Sequence, residues 1–422
     1  MENNKPMLVI EDSKPIAKVI KHVAQKAGFQ VKIAETFAQC QEILQQGHQF
    51  EVASIDYNLP DASKGEAIDL VLTYKIPSIV LTGQIDIKTR EQILNRPVID
   101  YIPKESGQTY HYLGKLLTRL ELNKQIRVLV VDDSKSARKY ICKLLERHNF
   151  LISEAEDGQQ GLAVLAEYPD IRLVITDHEM PIMNGIRFVS EVRKFYAKDQ
   201  LAIIGLSGDN AGSLSSRFIQ NGANDFLPKS FCYEDFYCRV MQNIENIEYV
   251  NKIKYLANTD YLTGLVNRQY FFEQVPKLKM QARQQSLIYS VVMIDIDHFK
   301  SINDTYGHDV GDKVIQALSA TLLTYFPTDI LPQQVASRFG GEEFCLFLQA
   351  EDPKIILEQL ENLRKEIHEQ NLPYLQHQIQ YTISIGLTFQ DDDLESMITQ
   401  ADKALYQSKQ SGRNRITLAA VS

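Results

Sequence analysis

Short apolar runs recur through the first 245 residues, and each is cut off by a polar residue of a particular type. MLVIEDSKPIAKVI at 7–20 and VLVVDDSKSARKYI at 128–141 share one pattern: an apolar strand, two acids, a serine, then apolar residues at helical spacing. Glu11 and Asp12 therefore align with Asp132 and Asp133. Further on, VASID stops at Asp56 and LVITD at Asp177, SIVLT at Thr82 and IIGLS at Ser207. Lys104 in DYIPKES and Lys229 in DFLPKSF complete the repeat. Asp177 follows Asp56 by 121 positions, as Asp133 follows Asp12, whereas Thr82/Ser207 and Lys104/Lys229 are 125 apart, so the second copy carries four extra residues between its third and fourth landmarks. Strands alternating with helical stretches predict a parallel α/β sheet in each copy. Ligands of such sheets gather at the carboxyl ends of the strands, so each copy should bring three carboxylates, a hydroxyl and a lysine into one pocket. Three acids in one pocket repel unless a cation joins them, and Mg²⁺ suits an all-oxygen site that also holds phosphate. The central aspartate, Asp56 or Asp177, is a candidate nucleophile toward phosphorus, with the hydroxyl and lysine bonding the phosphoryl oxygens. Tyr101 and Phe226 sit three residues before the lysines, where an aromatic also serves as strand packing.

The pattern then changes. Phe236, Val240, Ile244, Ile247, Val250 and Ile253 recur every three or four residues with no Gly or Pro between them. They predict a continuous amphipathic helix whose stripe packs on its own domain at first and is narrow enough to pair with a copy of itself. Beyond it, the apolar run of IYSVVMIDIDHFKSIND ends at Asp295, and HFKSIND reads as a tight loop feeding a helix, a place where free amides hold phosphates. In RFGGEEFCLFL, at 338–348, strict alternation puts Phe344, Leu346 and Leu348 on one face of a strand and Cys345 and Phe347 on the other. Two glycines before two glutamates mark a tight turn or a close backbone approach. Asp295 and Glu342, at two strand ends, are candidate ligands for a divalent metal. ADKALYQSKQSGRNR supplies Lys409 and Arg413, four residues apart and expected on one side of a helix end, and Lys300 is a third cation that can meet a polyphosphate.

Composition narrows the classes. The chain has 422 residues, room for about three domains. A net charge of −9 lacks the basic face that broad nucleic-acid binding needs. Five scattered cysteines without a CxxC pair read as thiols in a reducing compartment. No apolar run approaches a membrane span, and MENNKPMLVIEDS is a polar start running into a strand, so a cytoplasmic protein is expected.

The repeated landmarks resemble the receiver domain of two-component response regulators, in copies at 5–121 and 125–246, and the last third resembles the GGDEF domain of diguanylate cyclases at about 259–420, joined by a linker helix at 236–258. The resemblance implies an α/β multidomain chain: two doubly wound parallel-sheet receivers and one α+β, palm-like nucleotidyl-cyclase domain. For the receivers it implies phosphorylation of Asp56 and Asp177 by a histidine kinase or phosphotransfer protein, with Glu11, Asp12, Asp132 and Asp133 completing the metal sites. Thr82, Lys104, Ser207 and Lys229 would act as the switch residues, and Tyr101 and Phe226 as aromatics that turn inward with the hydroxyl. For the GGDEF domain it implies condensation of two GTP into cyclic di-GMP by a homodimer, with Mg²⁺ or Mn²⁺ held by Asp295, the Ile296 carbonyl and Glu342. Asn303 and Asp312 would read guanine, His308 and Phe299 line the nucleotide, and Lys300, Lys409 and Arg413 bind phosphates. Either Glu342 or Glu343 would deprotonate the 3′-hydroxyl. Many members carry an inhibitory Arg-x-x-Asp before the glycines; Leu331 and Gln334 stand there instead, so product inhibition through that site is not expected. The alternative is a catalytically weak receptor or scaffold that binds GTP or cyclic di-GMP and signals by protein contacts. Neither nucleic acid nor membrane is an expected partner.

Overall fold

The computed structural model describes residues 5–83, 87–104, 108–208, 211–327, 334–374 and 377–420. The chain separates into two compact units, residues 1–249 and 250–422.

The first unit holds two similar α/β layers. In one, strands β1 (Lys5–Ile10), β2 (Phe29–Ala34), β3 (Val52–Asp56), β4 (Ser78–Thr82) and β5 (Asp100–Pro103) alternate with helices α1 (Lys14–Lys26), α2 (Phe37–Gln45), α3 (Glu66–Thr73), α4 (Ile87–Leu94) and α5 (Gln108–Leu122). In the other, β6 (Arg127–Val131), β7 (Leu151–Ala155), β8 (Ile171–Asp177), β9 (Ala202–Ser207) and β10 (Asp225–Pro228) alternate with α6 (Lys135–Glu146), α7 (Gly158–Glu167), α8 (Gly185–Val192), α9 (Ala211–Gln220) and α10 (Tyr233–Asn258). Both sheets are parallel, in the orders β2-β1-β3-β4-β5 and β7-β6-β8-β9-β10. The apolar runs are long and unalternating because helices cover both faces of each sheet: β3, β4 and β9 are buried throughout.

The two layers share a core. Leu113, Leu116, Leu117 and Leu120 of α5, Ile141 and Leu145 of α6, and Phe236, Val240, Ile244 and Ile247 of α10 form one apolar cluster with β1 and β6 residues. Ion pairs rim this seam: Arg90–Glu234 at 2.6 Å, Lys115–Glu245 at 2.8 Å and Arg119–Glu248 at 2.7 Å. Tyr233 donates its hydroxyl to the Ile99 carbonyl. The predicted stripe of α10 is thus split. Ile244 and Ile247 are core residues of the first unit, at 2 % and 4 % exposure, and are not free to pair with another chain. Tyr249, Ile253, Tyr255 and Leu256, further along, are exposed.

The second unit is α+β. Its elements are β11 (Val266–Asn267), α11 (Arg268–Gln284), β12 (Ile288–Ile296), α12 (Phe299–Tyr306), α13 (His308–Tyr325), β13 (Val335–Gly340), β14 (Glu343–Ala350), α14 (Pro353–Glu369), β15 (Leu372–Tyr374), β16 (His377–Ile379), β17 (Ile383–Thr388), α15 (Leu394–Gln410) and β18 (Ile416–Leu418). A six-stranded mixed sheet runs β11-β13-β14-β12-β17-β18, with β12 antiparallel to both neighbours. The alternation in β14 sorts as read from the sequence. Phe344, Leu346 and Leu348 join the cluster under α13 and α14, and Cys345 and Phe347 the cluster under α11 and α15. All five cysteines are free. Among the described residues, no helix is long and apolar enough to cross a membrane.

Candidate functional sites

In the first layer the strand ends converge as the topology requires, since β1 and β3 flank the point where strand order reverses. Carboxylate oxygens of Glu11, Asp12 and Asp56 lie within 4.8 Å of one another. Lys104 reaches Glu11 at 2.7 Å and Asp56 at 2.6 Å, and its backbone N–H bonds the Thr82 carbonyl. Burial pushes the Glu11 carboxyl above its ordinary range, against the pull of Lys104. Burial works against the Lys104 charge, but its bonds to Asp56 and Glu11 prevail and hold its pKa up. Glu11 Oε1 is buried without a hydrogen-bond partner. An all-oxygen acidic pocket with an orphaned carboxylate oxygen fits a hard divalent cation.

The second layer repeats this with Asp132, Asp133 and Asp177, again within 4.8 Å. Lys229 sits 3.1 Å from Asp132 and 2.9 Å from Asp177. Burial raises the Asp177 pKa against Lys229. Ser207 ends β9 beside them and is buried. Phe226 is buried against Phe218, ring centroids 5.7 Å apart, whereas Tyr101 is only half-buried.

In the second unit, Asp295 is the eighth residue of β12 and is 5 % exposed. Antiparallel register sets it across from Glu343 on one side and Ser384 on the other. Gly340 and Gly341 have φ of +151° and +52°, conformations that glycine takes without strain, and they turn β13 into β14. Lys409 of α15 meets the Asp295 carboxylate at 2.8 Å. Burial raises the Asp295 pKa to about 6; Lys409 opposes this, and Glu342 and Glu343 add to it. Among the described residues, Asp295, Glu342 and Glu343 do not gather within 4.8 Å of one another as the receiver acids do; the donors the site offers a divalent cation are the buried Asp295 carboxylate, with Glu342 on the facing hairpin and the Ile296 carbonyl next in sequence.

The remaining residues expected at the site are placed as follows. HFKSIND is not a loop: the chain is helical from Phe299, and the turn is confined to His298 in the left-handed region, φ +58°. Phe299 is half-buried and Lys300 exposed. Asn303 lies on α12, and its Oδ1 is buried with no partner. Gly311 of α13 makes room for it, since a Cβ there would stand 1.9 Å from that oxygen. Gly307, φ +89°, breaks α12 from α13, and His308 and Asp312 are exposed on the first turns of α13. Arg413 is not one helical turn beyond Lys409. Helix α15 ends at Gln410, Gly412 turns the chain at φ +112°, and Arg413 follows at φ +61°. Gln334 is half-buried just before β13; Leu331 lies outside the described residues.

Two residues absent from the sequence reading brace the Gly-Gly-Glu-Glu turn. Arg338 donates from Nε and Nη2 to the Gly341 carbonyl at 2.9 and 2.8 Å, and from Nη1 to Asp260 at 3.0 Å. Asp260 also accepts from the Thr263 hydroxyl at 2.8 Å. An arginine two residues before the glycines was the available signal.

Two parallel sheets with acid–lysine pockets at their switch points, on one chain with a strand-end acid facing a Gly-Gly-Glu-Glu hairpin, define a response regulator with an enzymatic output domain. The response regulator receiver domain matches residues 7–110 and 128–240, and the GGDEF domain of diguanylate cyclases matches 257–415. The chain belongs to the response-regulator family and, through its last domain, to the GGDEF diguanylate cyclases. It is 29% identical over 362 residues to the response regulator PleD of Caulobacter vibrioides, covering 82% of this chain and 76% of that protein. It is 33% identical over 204 residues to diguanylate cyclase A of Treponema denticola, covering 46% of this chain and 54% of that one. A solved two-component response regulator/GGDEF protein superimposes with TM-score 0.52 at 39% identity, over 58% of this chain and 100% of that chain. Receiver domains imply a phosphodonor, and a GGDEF domain implies GTP as substrate.

Proposed function

We propose that the chain is a phosphorylation-regulated diguanylate cyclase that condenses two GTP into cyclic di-GMP. Each 3′-hydroxyl attacks the α-phosphorus of the other GTP; a P–O bond forms, the α–β bridging bond breaks, and pyrophosphate leaves with its electron pair. The observation that carries this reading is Asp295, a buried strand-end carboxylate directly across the sheet from Glu343 of the Gly-Gly-Glu-Glu hairpin and held by Lys409 at 2.8 Å. Asp295, Glu342 and the Ile296 carbonyl would hold Mg²⁺ or Mn²⁺, which would supply positive charge to the phosphate oxygens. Glu342 or Glu343 takes the hydroxyl proton. Asn303, with its unpartnered buried Oδ1, accepts from the guanine edge, as does Asp312. His308 and Phe299 flank the nucleotide; Lys300, Lys409 and Arg413 bind the phosphates. One domain holds one GTP, so two copies of the chain must face each other.

The receivers govern that pairing in this reading. A histidine kinase or phosphotransfer protein phosphorylates Asp56 and Asp177 in the cytoplasm. Each phosphoryl group adds nearly two negative charges to its pocket, and α10 is the element both receivers hold. Arg90 and Ile99 of the first receiver contact Glu234 and Tyr233 of α10, and Asp225 of the second binds Arg239 at 2.8 Å. A ligand shifts an equilibrium only through contacts that differ between states, and these contacts on α10 are where the two receivers can differ. Leu331 and Gln334 replace the inhibitory Arg and Asp, so product does not inhibit through that site. Turnover of GTP by the wild type and by Glu342→Ala tests the reading: product from the first and none from the second is expected, and equal rates would overturn it.

A further inference from the structure

Asp297 follows β12 directly, just before the His298 turn, and is 4 % exposed. Its partners are neutral donors from two other segments. The Thr382 and Ser384 hydroxyls each donate to it at 2.7 Å, and the backbone N–H of Asn414 donates at 3.0 Å. Its own N–H bonds the Thr382 carbonyl at 2.9 Å, extending the β12–β17 register by one residue. A buried carboxylate is costly unless several donors satisfy it, and these three donors tie it to two separate segments. The least regular of the segments it fixes is the turn after α15. Arg413 and Asn414 there hold φ of +61° and +45°, two consecutive non-glycine residues in the left-handed region. Such a turn persists only where its surroundings over-determine it. Arg364 grips it from the other side, donating to the Asn414 carbonyl at 3.2 Å and Oδ1 at 2.7 Å, while Glu361 holds that guanidinium at 2.6 and 2.9 Å.

We infer that Asp297 is a positioning residue for the triphosphate: by accepting the Asn414 N–H it fixes the left-handed turn from which Arg413 projects. The inference rests on the reading of Arg413 as a phosphate ligand. Asp297 touches no reacting atom; it acts through the turn.

The test is a double-mutant cycle on the full-length chain, with affinity for a non-hydrolysable GTP analogue and for inorganic pyrophosphate read by calorimetry. Arg413→Ala should weaken both by about tenfold, the scale of one charge-assisted contact. Asp297→Ala should weaken them comparably, raising KM for GTP while kcat stays within about threefold. The double variant should be no weaker than about twofold beyond either single, because both remove the same contact. Hydrogen–deuterium exchange over residues 411–416 should speed up in Asp297→Ala and not in Arg413→Ala. Asp297→Asn, which keeps a carbonyl acceptor, should recover affinity to within about threefold of wild type; if the alanine variant does not fold, the same cycle runs with Asp297→Ser, whose shorter side chain gives up the bond to the Asn414 N–H, with the same expected outcomes. Losses that multiply in the double variant, or an Asp297 variant with faster exchange yet wild-type affinity, would overturn the positioning role. Wild-type affinity retained in Arg413→Ala would instead remove the phosphate reading, and this inference with it.

Discussion

Asp295→Asn should stabilise the protein while abolishing its chemistry. The Asp295 carboxyl titrates near 6 in the fold against an ordinary value of 3.8, because burial penalises its charge more than Lys409 repays. A carboxyl raised in the fold contributes stability at pH below 3.8, and that contribution is lost as pH rises through about 6. At 1.36 kcal/mol per unit, holding this group ionised at pH 7.5 costs about 3 kcal/mol without metal. Asparagine is close to the neutral acid in shape and charge, so the variant should recover up to about 3 kcal/mol at pH 7.5 and almost nothing at pH 4. The Lys409 side chain, 32% exposed, can turn to water. For a domain of this size, that gain raises the midpoint of its thermal transition by about 6–12 °C. The assay is scanning calorimetry of the full-length chain in EDTA at the two pH values, followed through the transition of the last domain. A variant less stable than wild type at pH 7.5, or an equal gain at pH 4, would refute the reasoning. Turnover of GTP should be lost in the same variant, as expected where a site keeps a destabilised group for function.

Other outcomes follow from the same geometry. Protonation of Asp295 competes with metal, so the Mg²⁺ needed for half-maximal turnover should rise about tenfold per pH unit below 6, which Mg²⁺ titrations at pH 5 and 7.5 measure. Gly311→Ala drives a Cβ into Asn303 Oδ1 and should raise KM for GTP by about tenfold or more with circular dichroism unchanged. Asp56→Asn and Asp177→Asn should each leave one acceptor that takes phosphate from acetyl phosphate, seen as a single mass adduct; a single variant with no adduct marks its remaining aspartate as inert. Ile247→Glu should unfold or loosen the first unit, losing about 3 kcal/mol or more, because it buries an unpaired charge in the shared core and not in a chain–chain seam.

The sequence made the receivers legible because their chemistry sits at strand ends, and a repeat at fixed spacing shows which ends meet. The strand alternation in β14 was equally readable, since period 2 admits one assignment of faces. Two errors came from periodicity standing alone. The stripe of α10 records that Ile244 and Ile247 are buried, but not by what; a core within one chain and a seam between two chains present the same spacing. Lys409 and Arg413 are four apart, yet the Ser-Gly between them ends the helix, so helical spacing no longer applied. Asp297 carries no signal of its own in the sequence, since the apolar run already ends at Asp295. Its partners, Thr382 and Ser384, are distant in sequence, and only the β12–β17 register brings them to it.

The central claim is tested most directly by incubating the purified full-length protein with GTP and Mg²⁺, with and without beryllofluoride, and identifying products by mass spectrometry. Cyclic di-GMP and pyrophosphate in a 1:2 ratio, formed faster with beryllofluoride, is the result this structure leads us to expect. GTP bound but recovered unchanged under both conditions would contradict it.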